Sequence, residues 1–143
     1  MSWADGDDIP IGMLLARAAR TAERAFDRTV GGGSSRWKIL RTLMTEPVET
    51  QSELADTIGV RGATLVHHLD ALEAEGLVER RRSTENRRLQ TVTLTEAGRA
   101  KFNALLADVL AYDARLRAAI GPDAVAELRA ALHRIEREFA DEG

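Results

Sequence analysis

TQSELADTIGVRGATLVHHLDALEAEGLVERRRSTENRRLQTVTL, residues 50–94, sets two short helical periods side by side and follows them with an arginine-rich hairpin. Thr50 and Glu53 have the spacing of a capping box, in which the hydroxyl accepts an early amide and the carboxylate reaches back to the cap. That predicts a helix over Leu54, Ala55 and Ile58, stopped at Gly59. A second helix is predicted from about Gly62 to Glu75, ending at Gly76. Two short helices joined by a tight turn make a helix-turn-helix pattern. "LVERRR" and "RLQTVTL" then read as two strands flanking the turn residues of "STEN". Val92 and Leu94 share one strand face with Gln90, and Thr91 and Thr93 share the other.

At 100° per residue, Leu65, Leu69 and Leu72 of the second helix point to one side, toward a core. Ala63, His67, Asp70 and Ala74 point to the other. Small residues flanking one hydrogen-bonding ring allow close approach to another surface, and the major groove of DNA admits a helix. His67 is the side chain expected nearest the base edges. Arg61 and Thr64 stand at the helix N-terminus, where free amides also favour an anion. Gly62 and His68 adjoin these residues and are counted with the DNA-binding face. Asp70 opposes this reading, because a carboxylate near phosphates is repelled.

Outward from this segment the chain reads as helical. Leu14, Leu15, Ala18, Ala22 and Phe26 form a stripe that ends at "GGGSS", residues 31–35, whose serines are expected to cap the next helix. Trp37, Leu40, Leu43 and Met44 continue at helical spacing up to Pro47. Thr95 is expected to cap a long helix carrying Phe102, Leu105, Leu106, Val109 and Leu110, which "GPD" breaks. In the last helix Val125, Leu128, Leu132, Ile135 and Phe139 alternate in steps of three and four, a seam for packing along another helix. The fold class is therefore mainly α with a small β component (α+β).

The chain has 143 residues and a formal net charge of -3. From Arg61 to Lys101, however, eight Lys and Arg stand against six Asp and Glu, and a local basic patch matters more to a polyanion than the total. The absence of cysteine excludes disulfides, thiolate metal sites and thiol redox chemistry. The N-terminal stretch is acidic and broken by Pro10 and Arg17, unlike a secretory signal, and no run approaches the roughly 20 apolar residues of a membrane span. These features predict a cytoplasmic protein with no membrane partner. No glycine-rich phosphate loop or paired nucleophile suggests an enzyme, and neither a cofactor nor a metal site is expected. His67 and His68 diverge by 100° on a helix and His133 has no paired ligand motif.

"RWKILRTL", "QSELADTIGV" and "ATLVHHLDALEAEGLVERRRSTENRRLQTVTLTEAGR" together resemble the winged helix-turn-helix regulators of the MarR family. The order of elements matches over roughly residues 11–140, and the specific part is 51–99. The resemblance implies a DNA-binding lobe over 34–95 with a two-stranded wing. The terminal segments 1–33 and 96–143 would form a dimerisation domain. It implies a homodimer on double-stranded DNA, bound to a pseudo-palindromic operator as a repressor released by a small phenolic or other aromatic effector. Arg88 aligns with the wing-tip arginine of the minor groove, and Gln51 and Ser52 with residues near the backbone. Arg80, Arg81, Arg82 and Arg87 are left as phosphate contacts or stem residues. Asn86 stands where the family has an aspartate that orients the wing, which predicts a more mobile wing. Trp37 is the candidate to line an effector pocket, although its spacing with Leu40 and Leu43 equally suits a core. The rival function is a helical scaffold or protein-interaction dimer, which leaves the arginine hairpin without a purpose.

Overall fold

A computed structural model describes residues 9–45, 48–86 and 89–142. In chain order these form α1 (Ile11–Thr29), α2 (Gly33–Thr45), β1 (Val48–Thr50), α3 (Gln51–Ile58), α4 (Gly62–Ala74), β2 (Val78–Arg82), β3 (Gln90–Leu94), α5 (Glu96–Ile120) and α6 (Val125–Phe139). A short 3-10 turn at Pro122–Ala124 precedes α6. The architecture is the expected winged helix-turn-helix. The chain divides into two compact units, Met1–Val109 and Leu110–Gly143.

The core of the first unit gathers around α2 and α4. Ile39, Leu40, Leu43, Leu54, Leu65, Leu69 and Val92 are wholly buried, and Leu72 and Val78 nearly so. The inward face of α4 is thus the one its leucine spacing requires, and each such side chain contributes about 1.5–3 kcal/mol by leaving water. Val92 and Leu94 are buried while Thr91 and Thr93 are half-exposed, the alternation expected of a strand with one packed face. The sheet has three strands in the order β1-β3-β2, all antiparallel. The wing hairpin is β2 with β3; β1, three residues long, adds to the other edge of β3 and was not expected from the sequence.

Two local details differ from the sequence reading. No serine precedes α2 as a cap, because the helix already begins at Gly33. Asp27 of α1 performs that role instead: its carboxylate accepts the Ser34 amide at 2.8 Å, and the Ser34 hydroxyl donates to Glu23 at 2.7 Å. The α1–α2 turn is thus fastened by side chains of the preceding helix. At the start of α5, Thr95 does act as a cap: its hydroxyl accepts the Gly98 amide at 3.0 Å and donates to the Gly76 carbonyl at 2.6 Å.

The second unit contains the last half of α5, the Pro122 turn and α6. Among the described residues from Leu110 onward none is buried. A shallow groove of about 280 Å³ is lined by Leu116, Ile120, Val125, Leu128 and Leu132. Among the described residues no helix is long and apolar enough to cross a membrane, and no cluster of three or more His, Asp or Glu side chains is gathered to hold a metal ion.

Candidate nucleic-acid interface

The turn between α3 and α4 is set by local chemistry. Thr50 Oγ1 accepts the Glu53 amide at 3.2 Å, starting α3. Gly59 ends it in the left-handed region at φ 75°, a conformation that costs a residue with a Cβ about 1 kcal/mol or more. Arg61 then precedes α4 in extended conformation and makes no side-chain cap. The first-turn amides of α4 are therefore left for an outside acceptor. Gly62, Ala63, Thr64 and His67 are exposed beside Arg61, and His68 is half-buried. The His67 and His68 rings meet edge-on at 5.9 Å.

The hairpin supplies the facing wall. Its register places Val78 opposite Leu94, Arg80 opposite Val92 and Arg82 opposite Gln90, so these pairs share the inner face and Arg81 points to the other. Ser83 organises the turn: its amide donates to the Leu89 carbonyl at 2.9 Å and its hydroxyl accepts the Glu85 and Asn86 amides at 3.2 and 3.3 Å. The Asn86 carbonyl accepts the Leu89 amide. Arg87 and Arg88 lie outside the described residues. Between the helix pair and the hairpin runs an open groove of about 1140 Å³, flanked by Gln51, Ser52, Arg61, Arg82 and Gln90. Gln51 Oε1 is buried there without a hydrogen-bond partner among the described residues.

The arginines and carboxylates around α4 sort into pairs that the sequence reading did not anticipate. Arg80 spans two carboxylates of α4, with Nη2 2.6 Å from Asp70 and Nε 3.1 Å from Glu73, and its backbone amide also donates to Glu73. Asp70, which spoke against a DNA face, thus has its charge matched within the chain. Just past Glu73, at the C-terminal cap of α4, Arg36 grips Glu75 with both terminal guanidinium nitrogens, at 2.6 and 2.8 Å. Such two-point pairs fix orientation as well as distance. Trp37, beside Arg36, is buried and stacks on Phe102 with ring centroids 4.8 Å apart.

These pairs carry a pH dependence. The hydrogen bond from Arg80 holds the Glu73 carboxyl below its ordinary value of 4.5, and the Arg36 hydrogen bond does the same for Glu75. A carboxylate whose pKa is depressed by folding adds stability above its unfolded value and loses it as pH falls through the folded one. The acid limb of stability below pH 4.5 should therefore be shallower in a Glu73→Gln, Glu75→Gln double variant. The effect is modest, since both carboxylates remain nearly half exposed. Denaturant titrations from pH 3 to 7 check it, and identical acid limbs would contradict it.

Comparison with known proteins agrees with this geometry. The family model described as MarR family matches residues 34–89, from α2 through β2 to the residue before β3. An HTH-type transcriptional regulator of Bacillus subtilis strain 168, YdgJ, is 30% identical over 122 residues, covering 78% of this chain and 72% of the relative. The chain belongs to the MarR family. Among solved MarR-like structures, the transcriptional repressor CouR bound to a 23-mer DNA duplex superposes with a TM-score of 0.84 at 29% identity, over 94% of this chain and 97% of that one. BpsR of Bordetella bronchiseptica, whose structure concerns regulation of its DNA binding by 6-hydroxynicotinic acid, shares the fold with a TM-score of 0.80 at 20% identity, over 87% of this chain and 97% of that one. As a MarR-family protein the chain is a DNA-binding transcriptional regulator and not an enzyme.

Proposed function

We propose that this regulator binds a pseudo-palindromic operator as a homodimer in the cytoplasm, with α4 in the major groove and the wing in the flanking minor groove. The observation that carries the reading is the split surface of α4. Leu65, Leu69 and Leu72 are buried, while Ala63, Thr64 and His67 are exposed beside an open groove walled by Arg61 and Arg82. In this reading His67 meets base edges and Arg61, Gly62, Ala63, Thr64 and His68 approach the backbone or the first base. Gln51 and Ser52 meet the phosphates opposite the wing. Arg82, Asn86, Arg87 and Arg88 are assigned to the wing's contact with DNA, Arg88 being the side chain suited to a narrow, strongly negative minor groove.

The dimer half of the proposal draws on the second unit, which buries none of its described residues. Residues 1–33 and 96–143 would supply the dimer contacts and residues 34–95 the DNA-binding lobe. Two copies related by a twofold read half-sites about 34–36 Å apart. Repression follows the example of CouR, and control by a small aromatic acid follows the regulation of DNA binding in BpsR by 6-hydroxynicotinic acid. Only a shift of population between dimer geometries is required. Trp37 is the natural reporter of such a ligand, and quenching of its fluorescence by added aromatic acids tests the effector part.

Selection of bound sequences from random duplex DNA tests the whole. The wild type should return an inverted repeat, and His67→Ala should lose preference at particular base pairs by about 1–3 kcal/mol, the range for one base contact. Recovery of the same motif by the variant removes His67 from base readout.

A further inference from the structure

Three consecutive arginines leave α4 for the wing, and the structure gives them different duties. Arg80 lies on the inner strand face and is enclosed, its side chain 18% exposed, whereas that of Arg81 is 77% exposed and pairs with Glu79 on its own strand. Arg82 is exposed on the wall of the groove, and Arg80 lines the same groove with its guanidinium turned to α4. The guanidinium of Arg80 is directed at Asp70 and Glu73, residues one helical turn apart on α4. A cation held by two carboxylates in this way is poorly disposed to meet a phosphate.

We propose that Arg80 is a positioning residue for operator readout: by gripping Asp70 and Glu73 it fixes the rotation of α4 about its own axis relative to the wing, and so the angle at which His67 is presented. His67 lies three residues before Asp70, on nearly the same side of the helix. Side-chain tips lie about 5–6 Å from a helix axis, so a 15° roll moves them by about 1.5 Å. Hydrogen bonds tolerate only about 0.5 Å of variation in length. A roll of that size leaves the burial of Leu65, Leu69 and Leu72 largely intact yet spoils a base contact. The same grip offsets one of the two negative charges of Asp70 and Glu73, which lowers the repulsion as the outward face of α4 approaches DNA.

This inference rests on α4 being the reading helix, and the test separates the two. Fluorescence anisotropy is measured over a salt series on the selected operator and on an unrelated duplex of equal length, with active protein fractions determined by stoichiometric titration. Arg80→Gln should lose about tenfold or more on the operator, the scale of one lost base contact. Its affinity for the unrelated duplex and its log-log salt slope should stay as in the wild type. Arg82→Gln should weaken both duplexes and reduce the slope by about 0.9, as expected for one lost phosphate contact. Asp70→Asn should follow Arg80→Gln in losing discrimination.

Three results overturn the proposal: full wild-type discrimination by Arg80→Gln; a slope for Arg80→Gln reduced as in Arg82→Gln, which makes Arg80 a phosphate contact; or tighter binding of both duplexes by Asp70→Asn with discrimination intact, which makes Asp70 a repulsive charge only. If circular dichroism shows Arg80→Gln unfolded, Arg80→Lys takes its place. It keeps the charge but cannot span both carboxylates, so discrimination should still fall at unchanged slope; full wild-type discrimination overturns the proposal. A wild type that prefers neither duplex refutes the reading helix itself.

Discussion

Replacing Gly98 by alanine is expected to destabilise the first unit by about 3 kcal/mol or more, although the same change inside an ordinary helix gains about 1 kcal/mol. The sign is reversed by what the new methyl group meets. An ideal Cβ at this position lies 2.1 Å from the Leu77 carbonyl oxygen and 2.8 Å from Leu94 Cδ2. The leucine methyl can rotate aside, but the carbonyl belongs to backbone that is itself held. Leu77 O accepts the Thr95 amide at 3.1 Å, and Thr95 Oγ1 donates to Gly76 at 2.6 Å. Relief therefore requires α5 to lift from the α4–β2 junction, breaking these bonds and the Thr95 cap together. Thermal unfolding should fall by about 10 °C for a chain of this size. Gly12→Ala is the control: nothing lies within 4 Å of its Cβ, and its stability should be unchanged or slightly raised. A Gly98→Ala variant as stable as the wild type would falsify the close approach.

That glycine also shows where sequence reading stops. Thr50, Gly59, Gly76 and Thr95 were legible because a cap acts on amides and carbonyls a few residues away, within one stretch of chain. The buried faces of α4 and β3 were legible for a similar reason, since period fixes direction. Gly98 carries no local signal of its role because its constraint comes from Leu77, far back in the sequence. The role of Arg80 was half visible: strand alternation separates it from Arg81, but its two carboxylates sit on another element. The serine cap expected for α2 was displaced by Asp27, which a local rule does not search. β1 is too short to show any alternation of its own.

The ion pairs also sharpen the charge argument. Over residues 61–101 the excess of base over acid is small, but three of the six acidic side chains, Asp70, Glu73 and Glu75, are paired with Arg80 or Arg36. Arg36 comes from outside the segment. What remains to face an anion on this side is weighted toward Arg61, Arg82 and the arginines of the wing. A formal charge count understates a basic face where an acid of the segment is offset by an arginine from outside it, as Glu75 is by Arg36.

The other large effect is expected in the second unit, on α6. Replacing Leu132 by aspartate should convert the protein to a monomer at micromolar concentration and weaken operator binding by about 10²–10⁴, the range lost when two linked sites become independent. Leu128, Leu132 and Ile135 are each more than a third exposed, and Phe139 is 58% exposed. Ordering each backbone residue costs about 1–2 kcal/mol, and helices that bury no side chain have little to offset it. In the proposed dimer a second copy laid along the seam would supply the missing burial, and a buried carboxylate in its midst would be unpaired and costly. The first unit has its own buried core, so the Trp37–Phe102 stack should persist in the variant with an unchanged near-ultraviolet circular dichroism signature. Light scattering together with operator titration decides the matter. A Leu132→Asp protein that stays dimeric, or one that is monomeric yet binds the full operator as the wild type does, would remove α6 from the dimer and the dimer from the mechanism, respectively.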